Sequence, residues 1–188
     1  MFEDFKSKPS VTVVFTGQGK GKTSAGLGLL ARALGSGWRV AFVQFIKHWE
    51  VGEHQFLRDV SRLYAGNLEF IKGGQGFYKA GGLSAKGVSE AGHKQAARKT
   101  YTQAVGFASS GKFQLVICDE INNTAHDGLI TKRQLSDLIK AKHSQTNLCL
   151  TGRDFPADLL KLVDIATDMS KLKHHFDDKF LANKGIDY

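Results

Sequence analysis

The stretch Val11–Thr23, with the sequence VTVVFTGQGKGKT, decides the fold of this chain. Its first part, residues 11–15, is an apolar run rich in β-branched side chains, which predicts a buried strand. A loop with glycine at every second position follows, and apolar side chains then recur at helical spacing at Leu27, Leu30, Ala31 and Leu34. A glycine-rich loop between a strand and a helix is typical of phosphate binding, because its backbone N–H groups and the helix N-terminus both face the anion.

The side chains of this loop add the charges that a bound nucleotide needs. Lys22 can bring its ammonium group to a phosphate, and the hydroxyl of Thr23 can ligate magnesium. The strict pattern Gly-x-x-x-x-Gly-Lys-Ser/Thr begins with glycine, where this chain has Thr16. A glycine-rich turn with an incidental lysine is the alternative, which the strand–loop–helix context disfavours. We therefore expect ATP phosphates to bind at Gly17, Gln18, Gly19, Lys20, Gly21, Lys22 and Thr23.

Short apolar runs and helical patterns alternate along the rest of the chain. Further strands are predicted at residues 40–45, 68–71, 115–118, 148–150 and 165–169, and residues 47–83 otherwise indicate loops. Helices are predicted after the N-cap Ser84, after a capping box of Thr131 and Gln134, and from Asp154 onward. This alternation predicts an α/β domain with a mostly parallel central sheet and helices on both faces. We expect a single P-loop domain over residues 1–188, with an N-terminal tail at 1–10 and a C-terminal extension at 171–188.

Two acids close the most uniformly apolar run, at residues 115–118. Asp119 and Glu120 would lie at the carboxyl end of a central strand, where a P-loop protein holds its metal. Either carboxylate could serve magnesium directly or through water, and the residues alone leave open which one does. Glu120 could instead be a general base that activates water for ATP hydrolysis. From these motifs alone, a P-loop ATPase or kinase is the default interpretation.

Other residues could complete the site. Arg32 lies on the predicted loop helix. Arg153 follows the strand at 148–151, at its carboxyl end, so that it could reach a phosphate, with an ordinary surface arginine as the alternative. Three polar residues surround the end of the second predicted strand: Gln44, Lys47 and Glu53. Three aromatic side chains in glycine-bearing loops could cover a flat ligand, although ordinary loop packing explains them equally well: Trp49, Phe77 and Tyr78.

Composition narrows the class of protein. The chain has 188 residues and a net charge of +8, with positive residues scattered along it, so a solvated basic surface is favoured over nucleic-acid binding. No run approaches the roughly 18 apolar residues of a membrane span, and the N-terminus lacks the apolar core of a secretory signal. Cys118 and Cys149 lie in apolar runs and indicate buried, reduced thiols. We expect a cytoplasmic protein that binds neither membrane nor nucleic acid.

Five motifs occur in order along the chain: residues 15–23, Val43-Gln44-Phe45-Ile46-Lys47, Asp119-Glu120, Thr151-Gly152-Arg153 and Gly185-Ile186-Asp187-Tyr188. Together they resemble the ATP:corrinoid adenosyltransferases of the BtuR/CobA type, over nearly the whole chain. The resemblance implies a RecA-like P-loop domain. It also implies that the Co(I) of a corrinoid attacks the ribose C5′ of ATP and releases inorganic triphosphate, in adenosylcobalamin biosynthesis or salvage.

The resemblance also implies roles for individual residues. Residues 17–23 would hold the triphosphate, with ATP reversed so that C5′ rather than the γ-phosphorus faces the second substrate. Thr23 would serve magnesium together with Glu120, for which Asp119 is the alternative. Contacts to ATP would come from Arg32 and Arg153. The expected catalytic residues are thus Lys22, Thr23, Glu120 and Arg153.

On the corrin side, the resemblance implies that the loop at residues 76–78 displaces the lower cobalt ligand with aromatic side chains. Phe77 fits this role, but the family's tryptophan two places further on is Lys79 here. Tyr78 could substitute for it, and Trp49 is a further candidate for contact with the corrin. The family also implies a homodimer, here with a reduced N-terminal lid or a lid supplied by another segment, and an electron-donating reductase as partner. An ATPase or kinase and a non-enzymatic corrinoid carrier stay open as alternatives.

Overall fold

The computed structural model describes residues 4–76, 78 and 87–187, and in these ranges the chain forms one six-stranded sheet. The strands are Thr12–Thr16 (β1), Val40–Gln44 (β2), Leu68–Lys72 (β3), Leu115–Asp119 (β4), Asn147–Thr151 (β5) and Ile165–Asp168 (β6). They lie in the order β3-β2-β4-β5-β1-β6, and every neighbouring pair is parallel. The α/β fold with a parallel central sheet is confirmed.

Helices cover both faces of this sheet, as predicted. They are Lys22–Gly35 (α1), Gly52–Leu63 (α2), Glu90–Ser109 (α3), Ile121–His126 (α4) and Lys132–Ala141 (α5), with 3-10 helices at Ala157–Leu162 and His175–Asp178. Side chains alternate along β2, so that Val40 and Phe42 join an apolar cluster with residues of α1 and α2. Ala41 and Val43 point the other way, into a cluster with residues of α3 and α5.

Helix α2 is the largest departure from the sequence prediction, because it lies in a segment predicted to form loops. Its N-cap is Val51, which has no side-chain oxygen, and only His54 and Leu57 of its residues are buried. The segment therefore lacks both the capping residue and the broad apolar stripe by which a helix is recognised. Tertiary packing supplies the stability instead, since Leu57 lies in the apolar cluster that Val40 and Phe42 share.

Two predicted helix starts also differ from the structure. Helix α3 begins at Glu90, where the side chain of Ser89 accepts a hydrogen bond from the N–H of Gly92 at 3.1 Å. Ser84, the predicted cap, lies outside the described residues. The segment after Asp154 forms a short 3-10 helix in which only Leu159 is buried. One buried residue does not make the repeated apolar face that an α-helix needs for docking.

Both cysteines lie in the core. Cys118 and Cys149 are buried and free, and burial raises the pKa of each thiol. They are therefore unreactive core side chains, as predicted. Within the described ranges, none of the helices has the length and apolar character that crossing a membrane would require.

The parallel sheet places the functional segments at one edge. Strand β5 separates β1, which leads into the glycine-rich loop, from β4, which ends at Asp119. The chain beyond β6 passes the same edge, where the N–H of Gly19 donates to the carbonyl oxygen of Met169 at 2.5 Å. Ligands of open parallel sheets bind beyond the carboxyl ends of the strands, and this edge is that place.

The capping box at helix α5 gives a first prediction. The hydroxyl of Thr131 accepts from the N–H of Gln134 at 3.1 Å, and the Gln134 side chain accepts from the N–H of Thr131 at 2.9 Å. Thr131→Ala should lower the free energy of unfolding by about 1 kcal/mol, measured by urea denaturation. Thr102→Ala, on the exposed face of α3, is the control and should change it by less than about 0.5 kcal/mol. Equal effects of the two changes would contradict the capping role.

Candidate functional site

A cleft of about 770 Å³ opens at the carboxyl edge of the sheet. Its walls come from the glycine-rich loop, the segment after β2, the start of α4, the loop after β5 and the C-terminal extension. Charged and hydroxyl side chains dominate the part nearest the loop: Lys22, Thr23, Lys47, Glu53, Glu120 and Arg153. All four predicted catalytic residues therefore line one cavity.

The glycines of the loop are required by its shape. Gly17 and Gly21 have φ of 97° and 105°, in the left-handed region that side chains disfavour. A Cβ at Gly17 would collide with Oδ1 of Asp168, and a Cβ at Gly19 would lie 2.5 Å from the carbonyl oxygen of Met169. The loop is thus pressed against the end of β6, at a distance that only glycine allows.

Lys22 lies inside the loop that it follows. Its ammonium group donates to the carbonyl oxygens of Gly17 at 2.8 Å and Gly19 at 2.5 Å, and the residue is only 8% exposed. Burial lowers the pKa of Lys22, and the positive charge of Arg153 lowers it further. A polyanion in the cleft would relieve both effects by supplying opposite charge at close range.

The two acids at the end of β4 occupy different environments. Asp119 is fully buried and does not line the cleft: its Oδ1 accepts from the Thr151 hydroxyl at 2.6 Å and its Oδ2 from the Gln44 amide at 3.0 Å. Glu120 is partly exposed and lines the cleft. Burial of its carboxyl group, followed by the charge of Asp119, raises the pKa of Glu120. Of the two, Glu120 is the acid that a metal in the cleft could contact directly, and the geometry does not support direct ligation by Asp119.

The loop after β5 brings Arg153 to the cleft. Gly152 has φ of 125°, and a Cβ there would collide with the side chain of Asn123. The N–H of Arg153 donates to Oδ1 of Asn123 at 2.7 Å, and the side-chain amide of Asn122 donates to the carbonyl oxygen of Gly152 at 3.1 Å. Asn123 itself lines the cleft. Sequence analysis missed it, although the Asn122-Asn123 pair, one residue beyond Asp119-Glu120, was a visible signal.

Arg32 lies elsewhere, contrary to the expectation that it contacts ATP beside the loop. It is in the last turn of α1, roughly 15 Å along the helix axis from Lys22 at 1.5 Å per residue. There it lines a separate cavity of about 290 Å³ together with Val11 and Trp38. The structure therefore does not bring Arg32 to the cleft, because ten helical residues carry it to the far end of α1.

Lys47 and Glu53 form an ion pair on the wall opposite the loop, with side chains 17% and 12% exposed. Burial acts to lower the pKa of Lys47, but the negative charges of Asp119, Glu53 and Glu120 outweigh it and raise the pKa. The structure thus places both residues in the site, as their sequence position indicated. Phe56 of α2 extends the same wall and is 47% exposed, and sequence analysis did not identify it.

The predicted corrin-contacting aromatics are less well placed. Phe77 and Lys79 lie outside the described residues. Tyr78 packs against the apolar cluster of α3 and α5, and its ring lies 5.3 Å from the ring of His93. Trp49 is 37% exposed and is not among the described residues that line the cleft. Ordinary packing, the alternative weighed for these residues, describes Tyr78 well.

The C-terminal extension forms the remaining wall of the cleft. Phe176 and Ile186 line it, and Asp187 forms an ion pair with Lys20 of the glycine-rich loop. The hydrogen bond from Lys20, followed by that from the N–H of Asn183, lowers the pKa of Asp187. Sequence analysis did not predict that any residue of 171–187 lines the site. The closing motif at residues 185–188, which helped to identify the resemblance, was a signal that this segment matters.

The donors in the cleft fit a magnesium ion. The Thr23 hydroxyl and the Glu120 carboxylate supply the hard oxygen ligands that magnesium prefers, next to the place where phosphates would bind. Among the described residues there is no group of three or more His, Cys, Asp or Glu side chains that could hold a metal ion. The available donors therefore match a metal whose other ligands come from phosphates and water.

Comparisons with known proteins agree with this geometry. Residues 8–188 match the family described as ATP:corrinoid adenosyltransferase BtuR/CobO/CobP. A protein of Escherichia coli K12 named corrinoid adenosyltransferase is 32% identical over 180 residues, which cover 95% of this chain and 85% of the relative. A Pseudomonas aeruginosa protein of the same name is 30% identical over 184 residues, which cover 97% of this chain and 86% of the relative. The Salmonella typhimurium protein named corrinoid adenosyltransferase CobA is 28% identical over 179 residues, which cover 95% of this chain and 85% of the relative. With a glycine-rich loop, a cleft carboxylate and a match over nearly its whole length, the chain belongs to the ATP:corrinoid adenosyltransferase family.

Proposed function

We propose that the cleft holds ATP and magnesium while the 5′-deoxyadenosyl group passes to the Co(I) of a corrinoid, in making or salvaging adenosylcobalamin. The observation that carries this proposal is the position of Lys22, whose buried ammonium group lies within the glycine-rich loop and faces the cleft. A triphosphate bound along the loop would meet this charge, the loop amides and the guanidinium of Arg153.

Stabilising the leaving group is the main task of these residues. Cobalt supplies the electron pair of the new cobalt–carbon bond, and the pair of the broken C5′–O bond leaves with the triphosphate. Negative charge therefore develops on the triphosphate in the transition state. Lys22, held by two carbonyl oxygens of the loop, and Arg153, which lines the same cleft, would act on that charge.

Thr23 and Glu120 would hold the magnesium ion. When bound, magnesium supplies further positive charge to the phosphate oxygens. The Glu120 carboxylate is kept at the cleft by its place at the start of α4, directly after β4. ATP would bind in the reversed orientation that the family implies, so that C5′ points away from the loop.

A nucleophile such as Co(I) needs no activating base. The second task of the site is therefore to position the cobalt against C5′ of ATP. We propose that the corrin approaches from the side of α2, where the half-exposed ring of Phe56 lines the cleft, and that the aromatic residues Trp49, Phe77 and Tyr78 are further candidates for contact with it. Holding C5′ in line with cobalt would convert a two-body collision into a step within one complex.

We further propose a homodimer, an electron-donating reductase as partner, and a cytoplasmic location. The C-terminal extension exposes several large apolar side chains that a second subunit could cover: Leu172, Phe176, Phe180, Leu181 and Ile186. The reaction consumes ATP and a strongly reduced corrinoid, which favours a reducing compartment with an electron donor.

ATP hydrolysis is the second candidate function, and one observation favours it. The raised pKa of Glu120 is a property of general bases that activate water. The products separate the two reactions: protein, ATP, magnesium and chemically reduced cobalamin should yield inorganic triphosphate together with the absorbance of the cobalt–carbon product. ADP and phosphate without that absorbance would refute adenosyl transfer.

The role of Lys22 gives the next prediction. Lys22→Ala should lower the rate of adenosyl transfer by at least about a hundredfold, because a charge fixed at the leaving group is lost. The matched control is Lys140→Ala, at the exposed end of α5, which should keep full activity. Circular dichroism checks that both variants fold. Full activity of Lys22→Ala would mean that the site assignment is wrong.

The shape of the loop can be tested with a pair of glycine variants. Gly17→Ala should weaken ATP binding at least about tenfold, because its left-handed φ and the contact with Asp168 leave no room for a Cβ. Gly28→Ala, within α1 and with open space around it, should leave binding unchanged and stabilise the protein by up to about 1 kcal/mol. Calorimetry with ATP and thermal unfolding measure the two effects. ATP binding that is equal in both variants would contradict the proposed site.

The assignment of the metal carboxylate gives a further prediction. Glu120→Gln should raise the magnesium concentration needed for half-maximal activity by at least about tenfold, because an anionic oxygen ligand becomes a neutral amide. Asp158→Asn, at an exposed acid paired with Lys132, is the control and should not change it. An unchanged magnesium requirement in Glu120→Gln would exclude this role.

A further inference from the structure

Four polar side chains are fully buried behind the cleft: Gln44, His54, Asp119 and Thr151. They come from the ends of three adjacent strands, β2, β4 and β5, and from helix α2. A buried polar group without a partner destabilises a fold, so such a group of four is kept only where its members satisfy one another.

Groups that can only donate or only accept determine which atom is the donor in each hydrogen bond of this network. The backbone N–H of Val51 can only donate, and it donates to Nδ1 of His54 at 3.4 Å. The proton of the neutral ring is therefore on Nε2, which donates to Oε1 of Gln44. Burial lowers the pKa of His54, and the charge of Lys72 lowers it further, against the opposing charge of Glu50, whose Oε2 lies 3.6 Å from Nδ1. The Gln44 amide then directs its nitrogen to Oδ2 of Asp119 at 3.0 Å.

A second branch reaches Asp119 from the side of the cleft. The backbone N–H of Glu120 donates to Oγ1 of Thr151 at 3.0 Å, and that hydroxyl donates to Oδ1 of Asp119 at 2.6 Å. Glu120 has φ of 63°, a left-handed conformation that a glutamate rarely adopts. Among the described contacts, the N–H of Glu120 donates to the Thr151 hydroxyl, and Asp119 orients that hydroxyl.

The two branches lead to different residues that line the cleft. One end is Glu120, the carboxylate assigned to magnesium. The other is the N-terminus of α2, which carries Glu53, paired with Lys47, and Phe56 into the cleft. We propose that Gln44 and His54 are positioning residues, which tie α2 to Asp119 and thereby hold Glu120 in the orientation that binds the metal of the nucleotide. This inference rests on the proposed function, because it concerns the same magnesium and ATP.

Conservative and disruptive variants separate positioning from mere packing. His54→Phe keeps a flat ring beside Phe70, whose ring centroid lies 5.9 Å from that of His54, but removes the donor. His54→Gln restores a donor nitrogen at a similar reach. Gln44→Met keeps the length of the side chain and removes the amide. Leu138→Ala, in the cluster on the other face of the sheet, is the control for a loss of stability alone.

The readout is calorimetric binding of ATP with and without magnesium, together with the magnesium dependence and the kcat and KM of adenosyl transfer. His54→Phe and Gln44→Met should weaken magnesium-dependent ATP binding about tenfold, the range for groups that orient metal ligands, and barely change binding without magnesium. His54→Gln should recover to within about threefold of the unchanged protein. The double variant should be no worse than Gln44→Met, since both changes break one chain.

Specific outcomes would overturn the inference. They are unchanged magnesium dependence in both disruptive variants, an equal change in Leu138→Ala, or His54→Gln as impaired as His54→Phe. If His54→Phe does not fold, Gln44→Met and Thr151→Val interrupt the same series of hydrogen bonds and should likewise weaken magnesium-dependent ATP binding. Thr151→Ser keeps the hydroxyl and should restore that binding. If the unchanged protein binds ATP and magnesium but makes no adenosylcorrinoid, the proposed function fails while the binding measurements still decide the network.

Discussion

Lys22 holds its ammonium group within hydrogen-bonding distance of two carbonyl oxygens of its own loop, in a backbone that only glycine can form. The rest of the site is built around this charge. The loop leaves β1, presses against the end of β6 and enters α1, so that three elements define where the ammonium lies. An arriving triphosphate would find this charge already beside the loop, and preorganised charge is what stabilises a leaving polyanion.

The two carboxylates at the end of β4 differ in exposure. Asp119 is enclosed and receives hydrogen bonds from two neighbouring strands, whereas Glu120 turns into the cleft through a left-handed backbone conformation. A buried anion orients the groups that donate to it, and an accessible one can bind a metal. Adjacent acids of similar chemistry are therefore suited to different roles, because one peptide unit separates the core from the solvent-facing edge.

The C-terminal extension contributes to the site more than its lack of regular structure indicates. Asp187 neutralises Lys20, and Phe176 and Ile186 add apolar surface to a cleft whose other walls are strongly charged. A site that accepts both a triphosphate and a large apolar ring needs both kinds of surface. The family to which the chain belongs carries out a reaction between two such molecules, and the described cleft contains both surfaces within one chain.

Local sequence was sufficient for the elements whose stability is local. The glycine-rich loop between β1 and α1, the capping box of Thr131 and the apolar runs of β1, β2, β4 and β5 each follow from neighbouring residues, and each is present in the structure. The five ordered motifs also identified the family, which the match over residues 8–188 confirms. Helix α2 escaped prediction because a buried sheet face, and not its own residues, stabilises it.

Tertiary structure alone decided which side chains meet. The resemblance implied that both Arg32 and Arg153 contact ATP, but the length of α1 carries Arg32 away from the cleft, while a turn at Gly152 brings Arg153 into it. The residues alone left the choice between Asp119 and Glu120 open, although the resemblance favoured Glu120, and they gave no reason to connect Gln44 with His54. Chain-local patterns determine strands, loops and caps, whereas contacts between distant segments depend on the order of strands in the sheet and on which face each helix covers.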